Sequence, residues 1–290
     1  MPITTYIKRL IYPLYIYQRI TSAKRKELRR LFDHFRKPEN NLSLGSKLQI
    51  QLFSNMEEDG IILRLIASLG IEKGYFIDIG SNDCINSNCA NLAFNFEWKG
   101  VFVDADEKLL KIGKRNYRFF NKETGNRFVQ SFLTAENINS IIKENSSTEE
   151  IDFLNIDIDG DDYAIWKAID CIQPKIVLVE NKIEYGTHDI IVPATEPFLS
   201  SEWGASLVSF NKLANQKGYS LVATNREGFN AFFMRNDCLK TSGLQVLSVV
   251  QVLNRRHIKN SFYSQEVMMP LIESCKREEA EKKKRLQLSL

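Results

Sequence analysis

The sequence lacks the features of a disulfide-stapled or membrane-spanning chain. Its five cysteines are odd in number and scattered, and no two have the C-x-x-C spacing, so neither a disulfide framework nor a zinc site is indicated. It has no run of about 18 apolar residues, which argues against a helix that crosses a membrane. We therefore expect a cytoplasmic protein in a reducing compartment.

The chain also has little excess of charge. Its formal net charge of +3 is too small to indicate a nucleic-acid partner by itself. Its hydrophobic fraction of 43% is typical of a folded globular domain, which excludes a disordered chain. The first stretch, Met1 to Lys26, contains no acidic residue and is distinctly basic.

Two interpretations of residues 1–30 remain open. The segment predicts a helix, bent at Pro13, with apolar and aromatic side chains on one face and basic ones elsewhere. It either lies on an anionic inner membrane surface as a peripheral contact or packs on the domain or on a second subunit. The apolar face consists of Ile3, Tyr6, Ile7, Leu10, Ile11, Leu14 and Tyr15.

The rest of the pattern predicts one domain with helical ends. We place a basic helical extension at 1–45, a Rossmann-like domain at 46–238, and C-terminal helices with a charged tail at 239–290. A helix is predicted from Lys47 to Leu69, followed by short apolar runs that alternate with helical stretches, as in parallel sheets with crossover helices. The predicted strands are Tyr75–Ile79, Gly100–Val103, Arg127–Phe132, Phe153–Ile158, Lys175–Val179, Ser220–Thr224 and Ala231–Arg235.

The carboxyl end of the first strand predicts a nucleoside site. Gly80 supplies a sharp turn there, but the dinucleotide fingerprint would also need glycines where Asn82 and Ile85 stand, which disfavours a pyrophosphate and a nicotinamide enzyme. S-adenosylmethionine has no phosphate, and Asp78 is placed to face its cationic methionine part. Asp104, which ends the second strand, is placed to hold a ribose diol. The candidate cofactor-binding residues are Asp78, Gly80, Asn82, Asp83, Asn88, Asp104 and Ala105.

Acidic residues crowd the carboxyl ends of the next two strands. Four aspartates lie between 157 and 162, and such neighbouring charges need a cation, a proton or solvent. If the two strands are adjacent, Asp157, Glu180 and Asn181 offer oxygen ligands to Mg²⁺. The alternative is a solvated turn in which Asp161 or Asp162 caps a helix. The candidate catalytic residues are Asp157, Asp159, Asp162 and His188, with His188 the first choice as general base and Asp159 and Asp162 its rivals.

Residues 73–238 resemble the FkbM-type branch of class I methyltransferases. The resemblance implies a seven-stranded, mostly parallel Rossmann-like sheet with helices on both faces, which binds S-adenosylmethionine and methylates sugar or polyketide hydroxyls. The triad of Asp157, Glu180 and Asn181 is similar to the metal site of catechol-type O-methyltransferases, but that family's catalytic lysine would fall at Gly160. The likeness rests on Phe76-Ile77-Asp78-Ile79-Gly80-Ser81-Asn82, Val103-Asp104-Ala105-Asp106, Asp152-Phe153-Leu154-Asn155-Ile156-Asp157-Ile158-Asp159-Gly160 and Pro174-Lys175-Ile176-Val177-Leu178-Val179-Glu180.

These observations favour an S-adenosylmethionine-dependent O-methyltransferase. Its expected acceptor is a small polar molecule such as a sugar, a glycan or a lipid-linked compound. The methyl transfer is expected to proceed either with the help of Mg²⁺ or by acid/base catalysis alone. Two alternatives stay open, a non-catalytic nucleoside-binding module of the same fold and a membrane-associated scaffold. The sequence does not predict an oligomeric state.

Overall fold

A seven-stranded sheet forms the centre of the molecule. The computed structural model describes residues 12–40, 50–122, 125–194 and 202–288. The strand order is β3-β2-β1-β4-β5-β9-β8, and β9 runs antiparallel to both of its neighbours. The strands are β1 (Tyr75–Ile79), β2 (Lys99–Asp104), β3 (Asn126–Gln130), β4 (Phe153–Ile156), β5 (Ile176–Glu180), β8 (Tyr219–Thr224) and β9 (Asn230–Arg235).

This arrangement confirms the predicted seven-stranded, mostly parallel Rossmann-like sheet. All seven predicted strands occur, with ends that differ by at most two residues. Two further strands, β6 (Ile191–Val192) and β7 (Gly204–Ala205), pair only with each other and were not predicted. At two residues each, they are too short to give an alternating pattern.

Helices cover both faces of the sheet. All five residues of β1 are buried, and successive side chains of a strand point to opposite faces. Phe76 therefore joins one core cluster and Ile77 the other. The helices are α1 (Tyr12–Arg19), α2 (Ser22–Phe35), α3 (Glu58–Ser68), α4 (Ala90–Phe96), α5 (Glu107–Phe119), α6 (Ile138–Asn145), α7 (Asp162–Ala168), α8 (Leu207–Gln216), α9 (Asn236–Ser242), α10 (Val249–Leu253), α11 (Arg256–Lys259) and α12 (Gln265–Leu288), with short 3₁₀ helices at Pro38–Asn40 and Ile183–Tyr185.

The N-terminal helices belong to this fold. Four of their side chains are buried in the same core cluster as Phe76, so the described part of the segment packs on the domain, as one of the two interpretations predicts. Pro13 stands in the first turn of α1, where its missing N–H does no harm. Residues 1–11 and the predicted boundary between 45 and 46 lie outside the described residues. The four side chains are Ile16, Leu28, Phe32 and Phe35.

The helix predicted from Lys47 to Leu69 is wrong over residues 50–57, and residues 47–49 lie outside the described residues. Residues 50–57 form a loop, and α3 begins only at Glu58. The carboxylate of Asp59 accepts the backbone amides of Leu52, Phe53 and Ser54. Those amides are turned towards one side chain, which an α-helix would not allow.

No helix among the described residues has the length and apolar character needed to cross a membrane.

Candidate functional site

A cavity of about 420 Å³ opens at the carboxyl ends of the central strands. It lies where the strand order reverses between β1 and β4, which is where ligands bind in open α/β sheets. Its volume is in the range of small-molecule sites. A recess of about 20 Å³ adjoins it and shares Asn55, Gly80, Asn86 and Asp157 as walls.

Gly80 brings the ends of three strands together. Its φ of +78° lies in the left-handed region, and a Cβ atom at this position would lie 1.7 Å from the carbonyl oxygen of Asp157. The amides of Gly80 and Ser81 both donate to the carbonyl of Val103, at 2.9 and 3.0 Å. Only glycine allows this approach, because any other side chain would push β1 and β4 apart.

Asp78 forms the floor of the recess. Its side chain is fully buried, with Ser87 Oγ donating to one carboxylate oxygen at 2.5 Å and Asn155 Nδ2 to the other at 2.7 Å. Burial raises the pKa of Asp78 to about 6, although both hydrogen bonds favour the charged form. Asp78 is therefore a buried carboxylate that a cationic ligand would stabilise.

Asp104 lines the larger cavity together with Asn82 and Ala105. The backbone amides of Asn82 and Asp106 donate to its two carboxylate oxygens, at 2.6 and 2.8 Å. A carboxylate has about four acceptor positions, so each oxygen retains a lone pair. The hydrogen bonds fix the orientation of Asp104 and leave it able to accept two hydroxyl groups.

Two other predicted cofactor residues have different surroundings. Asn88 lines the recess and donates from Nδ2 to Asn155 Oδ1 at 3.1 Å. Asp83 is buried and is not among the residues that line either cavity. Its carboxylate accepts hydrogen bonds from the amides of Ile85 and Asn86 and from the hydroxyl of Tyr12. Asp83 therefore stabilises the loop after β1 without facing either cavity.

Three carboxylates form a cluster beside the cavity. Each of Asp157, Asp159 and Glu180 offers an oxygen atom within 4.8 Å of the others. The predicted adjacency of the two strands is confirmed, because β4 pairs with β5. Burial raises the pKa of both Asp157 and Glu180, and the charge of Glu180 raises that of Asp157 further. The cluster therefore favours a bound cation or a retained proton.

Asn181, the third member of the predicted metal triad, makes other contacts. Its Nδ2 donates to the carbonyls of Gly228 and Phe229, at 2.9 and 2.7 Å, so it holds the turn between β8 and β9. Its buried Oδ1 has no hydrogen-bond partner within the described part of the chain. Asp159 joins Asp157 and Glu180 in the carboxylate cluster, and the assignment of Asn181 as a metal ligand stays a prediction.

The candidate bases are not equally placed. Asp159 and Asp157 line the larger cavity, as does Asp161. Asp162 does not; it is buried, accepts the amides of Ile158 and Gly160 at 3.3 and 3.2 Å, and has a pKa raised to about 7 by burial. His188 is exposed and lines neither cavity, so the structure does not bring it to the site.

Sequence reasoning missed several cavity residues. Ser131, Phe132 and Leu133 directly follow β3 and line the larger cavity; the rule that ligands meet the carboxyl ends of strands would have found them. Asn55 and Asn86 line both cavities. Asn55 gave no signal because it precedes the first strand in a segment predicted to be helical.

Neither of two sequence comparisons gives a match. No protein-family model matches it, and no curated protein matches it.

Solved structures give distant matches. A candidate caffeoyl-CoA O-methyltransferase from Staphylococcus aureus is 14% identical over 80% of this chain and 98% of its own, with a TM-score of 0.46. A SAM dependent methyltransferase from Aquifex aeolicus is 10% identical over 72% and 96%, with a TM-score of 0.40.

TrmK of M. capricolum, in complex with S-adenosyl-homocysteine, is 14% identical over 59% of this chain, with a TM-score of 0.35. The match spans 66% of that protein, slightly under two thirds.

Proposed function

We propose that this chain is an S-adenosylmethionine-dependent methyltransferase that acts on a hydroxyl group of a small polar acceptor. The observation that carries the proposal is the cavity at the strand reversal, which joins the buried carboxylate of Asp78, the tight Gly80 turn and the two-oxygen face of Asp104. Each of these features matches one part of the cofactor.

The walls of the cavity fit this cofactor better than a phosphate-bearing one. Asp78 suits the cationic methionine end, and Asp104 suits the ribose diol. No lysine, arginine or histidine is found among the described residues that line the two cavities, so a pyrophosphate would lack a cationic partner. The acidic lining also disfavours a nucleic-acid acceptor.

The carboxylates beside the cavity suit transfer to oxygen. When bound, the cofactor supplies an electrophilic methyl group on its sulfonium; the acceptor oxygen forms a bond to that carbon as the carbon–sulfur bond breaks and S-adenosylhomocysteine leaves. The hydroxyl proton must then pass to a base within hydrogen-bond reach. When no cation is bound, Asp157 and Asp159, which line the cavity, are the proposed acceptors of that proton.

A divalent cation fits the same group. Asp157, Asp159 and Glu180 would hold Mg²⁺, because three carboxylate oxygens within 4.8 Å suit a hard cation that keeps several waters. Such an ion would lower the pKa of an acceptor hydroxyl. Metal assistance is thus part of the proposal, with Asp159 added to the predicted ligands Asp157 and Glu180.

The acceptor is proposed to be a sugar, a glycan or a lipid-linked sugar, as in the FkbM-type branch. Support comes from the motif resemblance and from Asp159 and Asp161 in the cavity wall, since carboxylates accept hydrogen bonds from sugar hydroxyls. We also propose that residues 1–30 touch an anionic membrane surface. Such a contact would bring the enzyme to a lipid-linked acceptor.

Calorimetric titration tests the cofactor assignment. S-adenosylmethionine and S-adenosylhomocysteine are titrated into the wild type, Asp78→Ala and Asp33→Ala, with and without Mg²⁺; Asp33 is exposed on α2 and serves as the control. We expect both ligands to bind the wild type and the control and to lose affinity for Asp78→Ala.

If the wild type binds neither ligand, the proposed methyltransferase activity is wrong. Binding with no methyl transfer to any of a panel of sugars would favour the nucleoside-binding module instead.

A further inference from the structure

The loop from Leu52 to Met56 is built around two buried acidic side chains. Asp59 is 1% exposed, and one of its carboxylate oxygens accepts the amides of Leu52, Phe53 and Ser54 at 2.7 to 3.0 Å. Ser54 Oγ donates to the same oxygen at 3.0 Å. These four hydrogen bonds fix the backbone on the amino-terminal side of Asn55.

Glu58 fixes the other side of the loop. It is fully buried, and its Oε2 accepts the amide of Met56 at 2.8 Å. Its Oε1 accepts the side-chain amides of Asn225 and Asn230, at 3.0 and 2.8 Å, which ties the loop to the turn between β8 and β9. Asn55 therefore stands between two firmly held neighbours.

Asn55 itself is exposed to the ligand space. It lines both the larger cavity and the recess that contains Asp78. Its backbone carbonyl accepts from Gln51 at 2.6 Å, while its side-chain amide makes no hydrogen bond to the described residues. The loop thus presents a free amide at the junction of the two cavities.

Each of the other side-chain amides of the recess already donates at least one hydrogen bond within the protein. Asn155 donates to Asp78, Asn88 donates to Asn155, and Asn86 donates to Tyr12 and Asp83. The hydroxyl groups of the recess are also used, because Ser87 donates to Asp78 and Ser54 to Asp59 and Met56.

The charge of the site makes this free amide important. The amino-acid end of S-adenosylmethionine carries an ammonium and a carboxylate, and the ammonium is suited to Asp78. The carboxylate meets no lysine, arginine or histidine among the described lining residues. A buried anion without a donor is costly, so a neutral N–H group must supply its hydrogen bond.

We propose that the side-chain amide of Asn55 binds the carboxylate of the cofactor's amino-acid end and makes the site selective for ligands that carry it. The inference rests on the proposed function, because it names the partner of one group of that cofactor. Asn55 is a specificity residue, and Glu58 and Asp59 position it.

The test compares S-adenosylmethionine with its decarboxylated form, which lacks only the carboxylate. Dissociation constants for both ligands are measured by calorimetry on the wild type, Asn55→Ala, Asn55→Asp and Gln18→Glu, the last an added charge on an exposed residue of α1. Unfolding midpoints establish that each variant is folded.

We expect Asn55→Ala to lower the affinity for S-adenosylmethionine by about tenfold, as for a lost hydrogen bond to a charged group. Its affinity for the decarboxylated form should fall by less than about twofold. Asn55→Asp should lower the affinity for S-adenosylmethionine further, because its new charge repels the carboxylate of that ligand. The same charge should raise the affinity for the decarboxylated dication. Gln18→Glu should leave both constants unchanged.

Equal losses for the two ligands, or no loss for either, would overturn the assignment of Asn55 while leaving the cofactor established. A wild type that binds neither ligand would overturn the proposed function itself, so the two failures are distinguishable.

Discussion

Asp78 should make cofactor binding depend on pH. Burial raises its pKa to about 6 in the free protein, and a cationic ligand would lower that value again, because it stabilises the charged form. Ligand affinity is therefore full above about pH 7 and falls as pH drops through 6. At pH 5 we expect about tenfold weaker binding than at pH 8, one factor of ten for each pH unit below the raised pKa.

The measurement is a calorimetric pH series with S-adenosylmethionine on the wild type and Asp78→Asn. The asparagine has no proton to lose, so its weaker affinity should stay nearly flat across the same range. A wild-type profile that is equally flat would show that Asp78 does not face the cationic group.

Gly80 should tolerate no side chain, and the chain provides a matched control. Both Gly80 and Gly218 have a positive φ, +78° and +83°, but a Cβ at Gly218 would meet nothing within 4 Å. Gly218→Ala should thus cost only the left-handed strain of about 1 kcal/mol, whereas Gly80→Ala should cost more than about 4 kcal/mol. Urea unfolding measures both, and equal losses would contradict the close approach of Gly80 to Asp157.

The predicted site residues that line the two cavities include three at or beside strand ends. Asp78, Gly80 and Asp104 follow from the strand pattern, since the carboxyl ends of parallel strands share one edge. His188 and Asn181 were assigned to the site because they follow the end of β5 in the sequence. The sequence does not give the direction of a loop side chain, which is decided by its hydrogen bonds. Asn181 is turned to the carbonyls of Gly228 and Phe229, 47 and 48 residues away, a relation that no local pattern contains.

At the scale of the element, the loop before α3 should depend on the shape of Asp59 more than on its charge. One carboxylate oxygen accepts three amides, while the other is buried and has no partner among the described residues. Burial also raises the pKa of Asp59, so its charge is unfavourable there. Asparagine can keep the accepting oxygen without that charge.

We therefore expect Asp59→Asn to change the free energy of unfolding by about 1 kcal/mol or less. Asp59→Ala should lower it by about 3 kcal/mol, because buried amides lose their acceptor, and should also weaken the ligand bound beside Asn55. Denaturant titration and calorimetry check the pair. Equal losses for the two variants would mean that the charge, and not the acceptor oxygen, organises the loop.

The same loop explains why a helix was predicted there. Leu48, Leu52, Ile61 and Ile66 fall at helical spacing, but spacing reports only which residues are apolar. It does not report that Asp59 reaches back to Leu52, Phe53 and Ser54. Because the buried carboxylate of Asp59 binds these loop amides, the apolar spacing does not produce a helix there. Only Glu58–Ser68 is helical.

At the scale of the whole molecule, the N-terminal helices act as a wall of the domain. Ile16 is fully buried in the main core, and Tyr15 and Arg19 donate to the carbonyl of Leu52, so α1 braces the loop that carries Asn55. The apolar face predicted for a membrane is therefore partly used within the protein. Leu14, a member of that face, and Tyr17, which was not assigned to it, are 59% and 63% exposed and lie on the outer side.

Within the described residues, membrane contact through residues 1–30 should depend on that outer side of α1. We expect Leu14→Ser combined with Tyr17→Ser to weaken sedimentation with anionic vesicles by about tenfold, since two apolar anchors are lost, with the free energy of unfolding changed by less than about 0.5 kcal/mol. Ile16→Ala, from the buried side of the same helix, should instead cost about 2 to 5 kcal/mol of stability and leave vesicle binding of the folded protein unchanged. If the wild type does not sediment with vesicles, or the double variant sediments as well as the wild type, α1 serves the domain only.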